Sequence, residues 1–402
     1  MDNVTSDFNR TPQANRLHIT FFGKRNVGKS SLINSLVGQE VALVADVAGT
    51  TTDPVSKAME ISPIGPCLIT DTAGFDDVGE VGEKRVALTM KAVEHTDLAL
   101  LVCNDKLDSD EMRWLKTFRE QHIPTICVIN KADLIKGCDE LKAQIESELS
   151  IPVVATNAVS GEGIEQLRNV IAQTLNDQHV QPPLLGNLVS AGDVVLLVMP
   201  QDRQAPKGRL ILPQVQTIRT LLDAHCIVMS CSTQEIGAAI DRMKEPPSLI
   251  ITDSQVFDIV SKQCPSASRL TSFSVLMAAQ KGDIQYFVES AKTIDKLQAS
   301  SRVLIAEACS HVPLTEDIGR EKIPRMLKSR VGEGLCIDIV SGKDFPDDLR
   351  EYDLVIHCGA CMFNRRQMMS RVRKAQAQHV PLTNYGITIA HLKGILNRVV
   401  FP

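Results

Sequence analysis

Residues 23–30 read Gly-Lys-Arg-Asn-Val-Gly-Lys-Ser, and no other stretch restricts the fold of this chain so strongly. The run follows the apolar residues Ile19–Phe22 and precedes a helical pattern over Ser31–Leu36. Strand, glycine-rich loop and helix together form the setting in which backbone N–H groups wrap phosphate. Gly23 and Gly28 allow that close approach, Arg25, Asn26 and Val27 complete the loop, and Ser31 opens the helix. Lys29 is placed to reach the β- and γ-phosphates, and the Ser30 hydroxyl to bind magnesium. A loop of this kind needs a parallel α/β sheet behind it.

Three further motifs follow in order, each at the end of an apolar run. Asp71-Thr72-Ala73-Gly74 succeeds Cys67–Thr70. Asp71 can hold magnesium through water, and the Gly74 N–H can sense a γ-phosphate. Asn130-Lys131-Ala132-Asp133 succeeds Thr125–Ile129, and Asp133 can accept from both donors of a guanine edge. Adenine lacks those donors and leaves the carboxylate unpaired, so the site selects GTP. Asn157-Ala158-Val159 then offers backbone N–H groups to the guanine O6. Four motifs in sequence and in context point to a GTP site.

The chain has 402 residues, enough for two or three domains. Runs such as Leu98–Cys103 are apolar on both faces, as central parallel strands are. The expected fold class is α/β: a P-loop GTPase domain over 1–178, then two smaller α/β domains with mainly parallel sheets. The middle one, 179–267, carries no motif with chemistry and is expected to serve docking or dimerisation. The last, 268–402, carries the thiols discussed next. A net charge of −5 and a pI near 6.0 argue against a nucleic-acid partner. No apolar run approaches the ~20 residues that span a bilayer, and the N-terminal residues lack a signal-peptide core. A cytoplasmic protein with no membrane partner is expected.

Eleven cysteines in such a chain point to metal ligands or buried thiols rather than disulfides. Cys67, Cys103, Cys127 and Cys226 lie in or beside apolar runs and read as small core residues. Cys309-x-His311 and His357-Cys358-x-x-Cys361 are different. Cys309 follows the strand-like run Val303–Ala306, and Cys358 follows Leu354–His357, so both fall where parallel sheets bind ligands. Three thiolates from Cys309, Cys358 and Cys361 leave a fourth position open. His311 shares a face with Cys309 in extended chain and is slightly favoured. Glu316 is a second candidate. His357 is a third, with a structural role the commoner fate of such a histidine. Structural zinc fits Cys₃His equally well by spacing. A 4Fe–4S cluster with one exchangeable ligand suits a carrier better, because the thiols are not in two tight pairs.

The nucleotide motifs resemble those of the TrmE-like GTPases, on Asn26–Leu32 and on Gly49-Thr50-Thr51-Thr52-Asp53 as a first switch. The resemblance implies that Thr51 closes on magnesium and γ-phosphate, joining Lys29, Ser30, Asp71 and Gly74 as the catalytic set. It also implies that Asn26 helps bind K⁺ at the transition state. Phe75 occupies the place of a water-orienting glutamine, so slow, K⁺-stimulated hydrolysis is expected. Over its whole length the chain resembles the HydF family of FeFe-hydrogenase maturation GTPases, through the order GTPase, middle α/β domain, Cys-x-His…His-Cys-x-x-Cys. That resemblance implies a homodimeric scaffold holding a 4Fe–4S cluster. It would receive a diiron precursor made with the radical-SAM maturases HydE and HydG and deliver it to apo FeFe-hydrogenase. The competing expectation is an RNA- or ribosome-directed assembly GTPase with a zinc-stabilised C-terminal domain. The basic stretch Lys322–Arg330 is then its best nucleic-acid feature, although such a stretch is more often a solvated helix face.

Overall fold

The computed structural model describes residues 13–38, 55–74, 80–178, 182–200, 210–308, 317–342 and 344–402. Thr51, Phe75, Cys309, His311 and Glu316 lie outside the described residues. The chain divides into two compact units, Met1–Val180 and Gln181–Pro402.

In the first unit β1 (Leu17–Phe22), α1 (Lys29–Val37), β2 (Val55–Ile61), β3 (Gly65–Asp71), α2 (Glu80–Val93) and β4 (Leu98–Cys103) are followed by α3 (Ser109–Glu120), β5 (Thr125–Asn130), α4 (Cys138–Leu149), β6 (Val153–Thr156) and α5 (Ile164–Gln178). The sheet runs β2-β3-β1-β4-β5-β6. All its pairs are parallel except β2 with β3. β4 and β5 are buried at every position, which explains their unbroken apolar sequences.

The second unit holds two sheets. β7 (Val194–Val198), α6 (Leu212–Asp223), β8 (Ile227–Cys231), α7 (Ile236–Asp241), β9 (Leu249–Thr252), α8 (Phe257–Gln263), β10 (Arg269–Ser272) and α9 (Phe273–Lys281) build the first, in the order β10-β9-β7-β8. The second comprises α10 (Ile284–Ala291), β11 (Arg302–Glu307), α11 (Ile323–Val331), β12 (Cys336–Ser341), β13 (Leu354–His357), α12 (Arg365–Ala377), β14 (Leu382–Asn384) and α13 (Tyr385–Leu392). Its order is β12-β11-β13-β14. Both sheets are wholly parallel. The α/β fold with mainly parallel sheets is therefore what the sequence implied. β10, which a division at 267/268 separates from the middle block, is hydrogen-bonded into the middle sheet. One apolar core runs through both sheets, from Leu196 and Ile250 to Ile305 and Ile356.

All three sheets share one piece of topology. The first strand lies between the second parallel strand on one side and the third on the other, as in β3-β1-β4, β8-β7-β9 and β12-β11-β13. Connections leave such a pair in opposite directions, so a crevice opens at the strands' carboxyl ends. The phosphate loop follows β1, and the Cys358-x-x-Cys361 loop follows β13, whose last residue is His357.

Candidate functional site

At the first crevice, backbone shape explains the glycines. Gly23 has φ 148°, and a Cβ there would meet the Val102 carbonyl oxygen at 2.3 Å. Gly28 has φ 94°, and its Cβ would meet the Asn130 amide nitrogen at 2.3 Å. The phosphate loop is thus pressed onto the ends of β4 and β5 with no room for a side chain. Lys29 is buried and folds back on the loop, donating to the carbonyl oxygens of Gly23 at 2.9 Å and Lys24 at 2.8 Å. Lys24 itself pairs with Asp108, the cap of α3. Arg25, Asn26, Ser30 and Ser31 are exposed at the rim, and Val27 is buried beneath them.

The Ser30 hydroxyl donates to Asp71 Oδ2 at 2.6 Å. The other oxygen, Oδ1, is buried and has no hydrogen-bond partner among the described residues. Burial pushes the Asp71 carboxyl above its usual range, while Ser30 and Lys29 pull it back. A buried carboxylate oxygen that lacks a donor, beside a serine hydroxyl, fits a hard cation. Magnesium there would be held by Ser30 and Asp71 and would neutralise charge on the phosphates. Thr72 hangs the following turn from β1, its hydroxyl donating to the Phe21 carbonyl at 2.7 Å, and Gly74 lies two residues on.

The base side is braced in the same way. Asn130 donates to the Val27 carbonyl at 2.9 Å and accepts from the Ala158 N–H at 3.2 Å. Lys131 donates to the Asn26 carbonyl at 2.7 Å. Asn157 accepts from the N–H groups of Val159 at 2.9 Å and Ser160 at 3.2 Å. Asp133 is left exposed on a short turn, Ala132–Leu134, with its carboxylate available to a base. The described residues of all four motifs thus meet along one sheet edge.

At the third sheet, β11 and β13 are parallel neighbours, and the Cys358 N–H donates to the Ala306 carbonyl at 2.9 Å. The Cys358 sulfur accepts from the Ala308 N–H at 3.0 Å, one residue before Cys309. Cys361 follows on the same loop, and burial raises its thiol pKa while Lys281 opposes the shift. Among the described residues no three His, Cys, Asp or Glu side chains converge on a metal position. Two partly buried thiols on one loop, one of them already accepting from a backbone N–H, are a soft donor set that fits an iron–sulfur cluster or zinc.

His357 is fully buried and uses both ring nitrogens within the fold. Arg371 donates from Nη1 to His357 Nε2 at 2.9 Å, so the ring proton sits on Nδ1, which donates to the Cys358 carbonyl at 2.9 Å. Burial, aided by the Arg371 charge, lowers the His357 pKa to about 3. Arg371 is in turn sandwiched between the rings of Phe345 and Phe363, each at 4.5 Å. Sequence reading missed Arg371 and also Lys281, which ends the apolar helix α9. A lysine at a helix end is an ordinary sequence feature, and nothing local marks either residue as buried.

Comparison with known proteins assigns the chain. A model described as the hydrogen maturase F dimerization domain matches residues 184–282. A second, the hydrogen maturase F tetramerization domain, matches residues 285–402. Together they span more than half of the chain. The chain belongs to the HydF family. In front of these HydF segments, residues 18–131 match a family described as a 50S ribosome-binding GTPase.

Relatives of the GTPase part include the tRNA modification GTPase MnmE of Nitrosomonas europaea. It is 37% identical over 160 residues, which is 39% of this chain and 34% of that protein. The GTPase Der of Kosmotoga olearia is 32% identical over 220 residues, 51% of this chain and 49% of its own length. The chain thus spans a third to a half of the curated relatives it matches. Among solved structures, a probable GTP-binding protein engB is 26% identical, with a TM-score of 0.34 over 40% of this chain and 100% of its own. The HydF segments coincide with the two C-terminal sheets, and the thiol loop lies in the second of them.

Proposed function

We propose that this protein hydrolyses GTP at the first crevice and holds a 4Fe–4S cluster at the third. From that cluster it serves as the scaffold that delivers a diiron precursor to apo FeFe-hydrogenase. The observation that carries this reading is the coincidence of two HydF models over 184–402 with a Cys358–Cys361 loop at a strand switch point. Cys309, adjacent in sequence to the Ala308 N–H that binds the Cys358 sulfur, supplies the third thiolate. His311 or Glu316 supplies the exchangeable fourth ligand. His357 is set aside for that role, because its two nitrogens are already engaged. The radical-SAM maturases HydE and HydG are the proposed donors of the precursor. Assembly as a dimer through 184–282, extended to a tetramer through 285–402, follows the descriptions of the matching models.

In the nucleotide site Lys29 exchanges its two loop carbonyls for phosphate oxygens, and Thr51 joins Ser30 and Asp71 around magnesium. Asp133 sets the base. With Phe75 in the glutamine position, intrinsic turnover is slow and K⁺ beside Asn26 supplies transition-state charge. Turnover measured in KCl and in NaCl at equal ionic strength checks this, and equal rates remove the K⁺ site.

Anaerobic reconstitution with iron and sulfide, followed by EPR of the reduced protein, tests the cluster. The expected result is an S = 1/2 4Fe–4S signal that Cys309→Ala abolishes. Stoichiometric zinc with no iron favours instead an RNA- or ribosome-directed assembly GTPase, the reading that the 50S ribosome-binding GTPase match supports.

A further inference from the structure

Helix α9 begins in one sheet and ends at the other. Ser272, the last residue of β10, caps it by accepting from the Val275 N–H, and six of its nine residues are buried. Its final residue, Lys281, is 4% exposed and reaches under the thiol loop. The ammonium donates to the carbonyl oxygens of Ala360 at 3.2 Å, Cys361 at 3.2 Å and Phe363 at 2.7 Å. Three donors meet three acceptors, which is the full capacity of a charged lysine.

The loop returns the grip. Arg365, at the start of α12, donates from Nη1 to the carbonyl oxygens of Gln280 at 2.8 Å and Gly282 at 2.9 Å. These two carbonyls flank Lys281 in sequence, so each segment inserts a cation into the backbone of the other. Asn364 fixes the loop's far end by capping α12 through the Gln367 N–H at 2.9 Å. The hydrogen bonds therefore define the path of residues 360–365 from both sides.

The charge on Lys281 needs an explanation of its own. A buried ammonium is costly unless a negative group compensates it. Among the described residues no carboxylate forms an ion pair with it. Burial lowers the Lys281 pKa to about 8, and the sulfurs of Cys361 and Cys358 oppose that shift through space. As neutral thiols these offer little compensation, whereas as metal-bound thiolates they carry full negative charge.

We propose that Lys281 and Arg365 form a reciprocal clasp that sets the geometry of the Cys358–Cys361 loop, and that the Lys281 ammonium is the fixed counter-charge of the thiolate-bound iron. The proposal rests on the iron–sulfur reading above and adds positioning residues to it. It also has a consequence for organisation. Lys281 belongs to the segment matching the dimerization domain and Arg365 to the segment matching the tetramerization domain. The cluster loop is held in shape by its neighbour, so a displacement of α9 is felt at the cysteines.

The test uses the full chain, reconstituted anaerobically as wild type, Lys281→Met and Arg365→Gln. Midpoint potential is read by EPR-monitored titration, and cluster retention by the rate of iron loss to a ferrous chelator. Lys281→Met is expected to lose iron roughly tenfold faster, the scale on which groups behind metal ligands act. Its potential should also move negative, because a nearby positive charge that favours the reduced cluster has gone. Arg365→Gln keeps the Lys281 ammonium but removes a second cation near Cys361, so it should lose iron faster with a smaller negative shift in potential than Lys281→Met. A merely structural role for Lys281 moves retention but not potential. If Lys281→Met does not fold, as judged by circular dichroism, Arg365→Gln decides the clasp by its iron-loss rate alone. Wild-type retention and potential in every folded variant overturn the clasp and leave the cluster reading standing. A wild-type protein that takes up no iron overturns the cluster reading, and the counter-charge with it.

Discussion

The nucleotide site and the thiol site occupy equivalent places, the carboxyl edge of a parallel sheet beside its first strand, yet they are built in opposite ways. The phosphate loop satisfies its own lysine, although Asn130 and Lys131 brace its backbone from more than a hundred residues away. Its lysine is satisfied by carbonyls five and six residues away, and its shape is dictated by glycines within an eight-residue run. The thiol loop depends on distant partners. Lys281 is about eighty residues from the carbonyls it binds, and Ala308 is fifty from the sulfur it contacts. His357 is positioned by Arg371 across fourteen. A site that grips phosphate through its own backbone needs a particular short sequence. A site made of soft side-chain donors needs only that the fold bring them together, and its shape must then be fixed by whatever surrounds them.

The largest effects should separate the two regions. Lys29→Ala removes the group that meets the β- and γ-phosphates and should reduce GTP turnover at least a hundredfold, on the order of 3 kcal/mol of transition-state stabilisation. Its iron content after reconstitution should stay at the wild-type value. Cys358→Ser should do the reverse, losing most of the iron while GTP turnover changes by less than about twofold, within the range of ordinary surface substitutions. Parallel loss of both properties in either variant would break the comparison, since it would mean that the two sites share a structural dependence.

A smaller effect sharpens the comparison at the supports of the thiol loop. His357→Asn leaves the Arg371 guanidinium without its buried acceptor and should destabilise the C-terminal unit by about 3 kcal/mol. Chemical denaturation followed by a probe in that unit reads this directly. A change below about 0.5 kcal/mol, the level of an exposed substitution, would show that His357 is not a keystone of the loop and would return its ring to the list of possible ligands.

Much of the fold was legible because parallel strands buried on both faces leave unbroken apolar runs. Leu98–Cys103 and Leu354–His357 occur as strands with the limits their sequences suggest. The thiols of Cys67, Cys103, Cys127 and Cys226 are buried, as their apolar neighbours imply. The stretch Lys322–Arg330 is almost entirely the helix α11, whose Ile323 and Leu327 are buried while its basic residues are not. The fusion of the two C-terminal sheets into one core was not legible, because local periodicity shows that a face is buried and not what buries it. Their identical strand order was equally hidden, since no sequence repeat accompanies it.

The division of labour between sequence and fold follows from range. Sequence alone marked the candidate GTP site, since the phosphate loop and the residues expected to meet magnesium and guanine lie in short motifs. Sequence also supplied the thiols and their place after two strands. Only the tertiary structure decided that His357 is a buried support, that Arg371 selects its tautomer, and that Lys281 and Arg365 lock the loop. A buried cation is marked by the groups that surround it rather than by the residues beside it in the chain, and those groups are assembled only when the sheets pack.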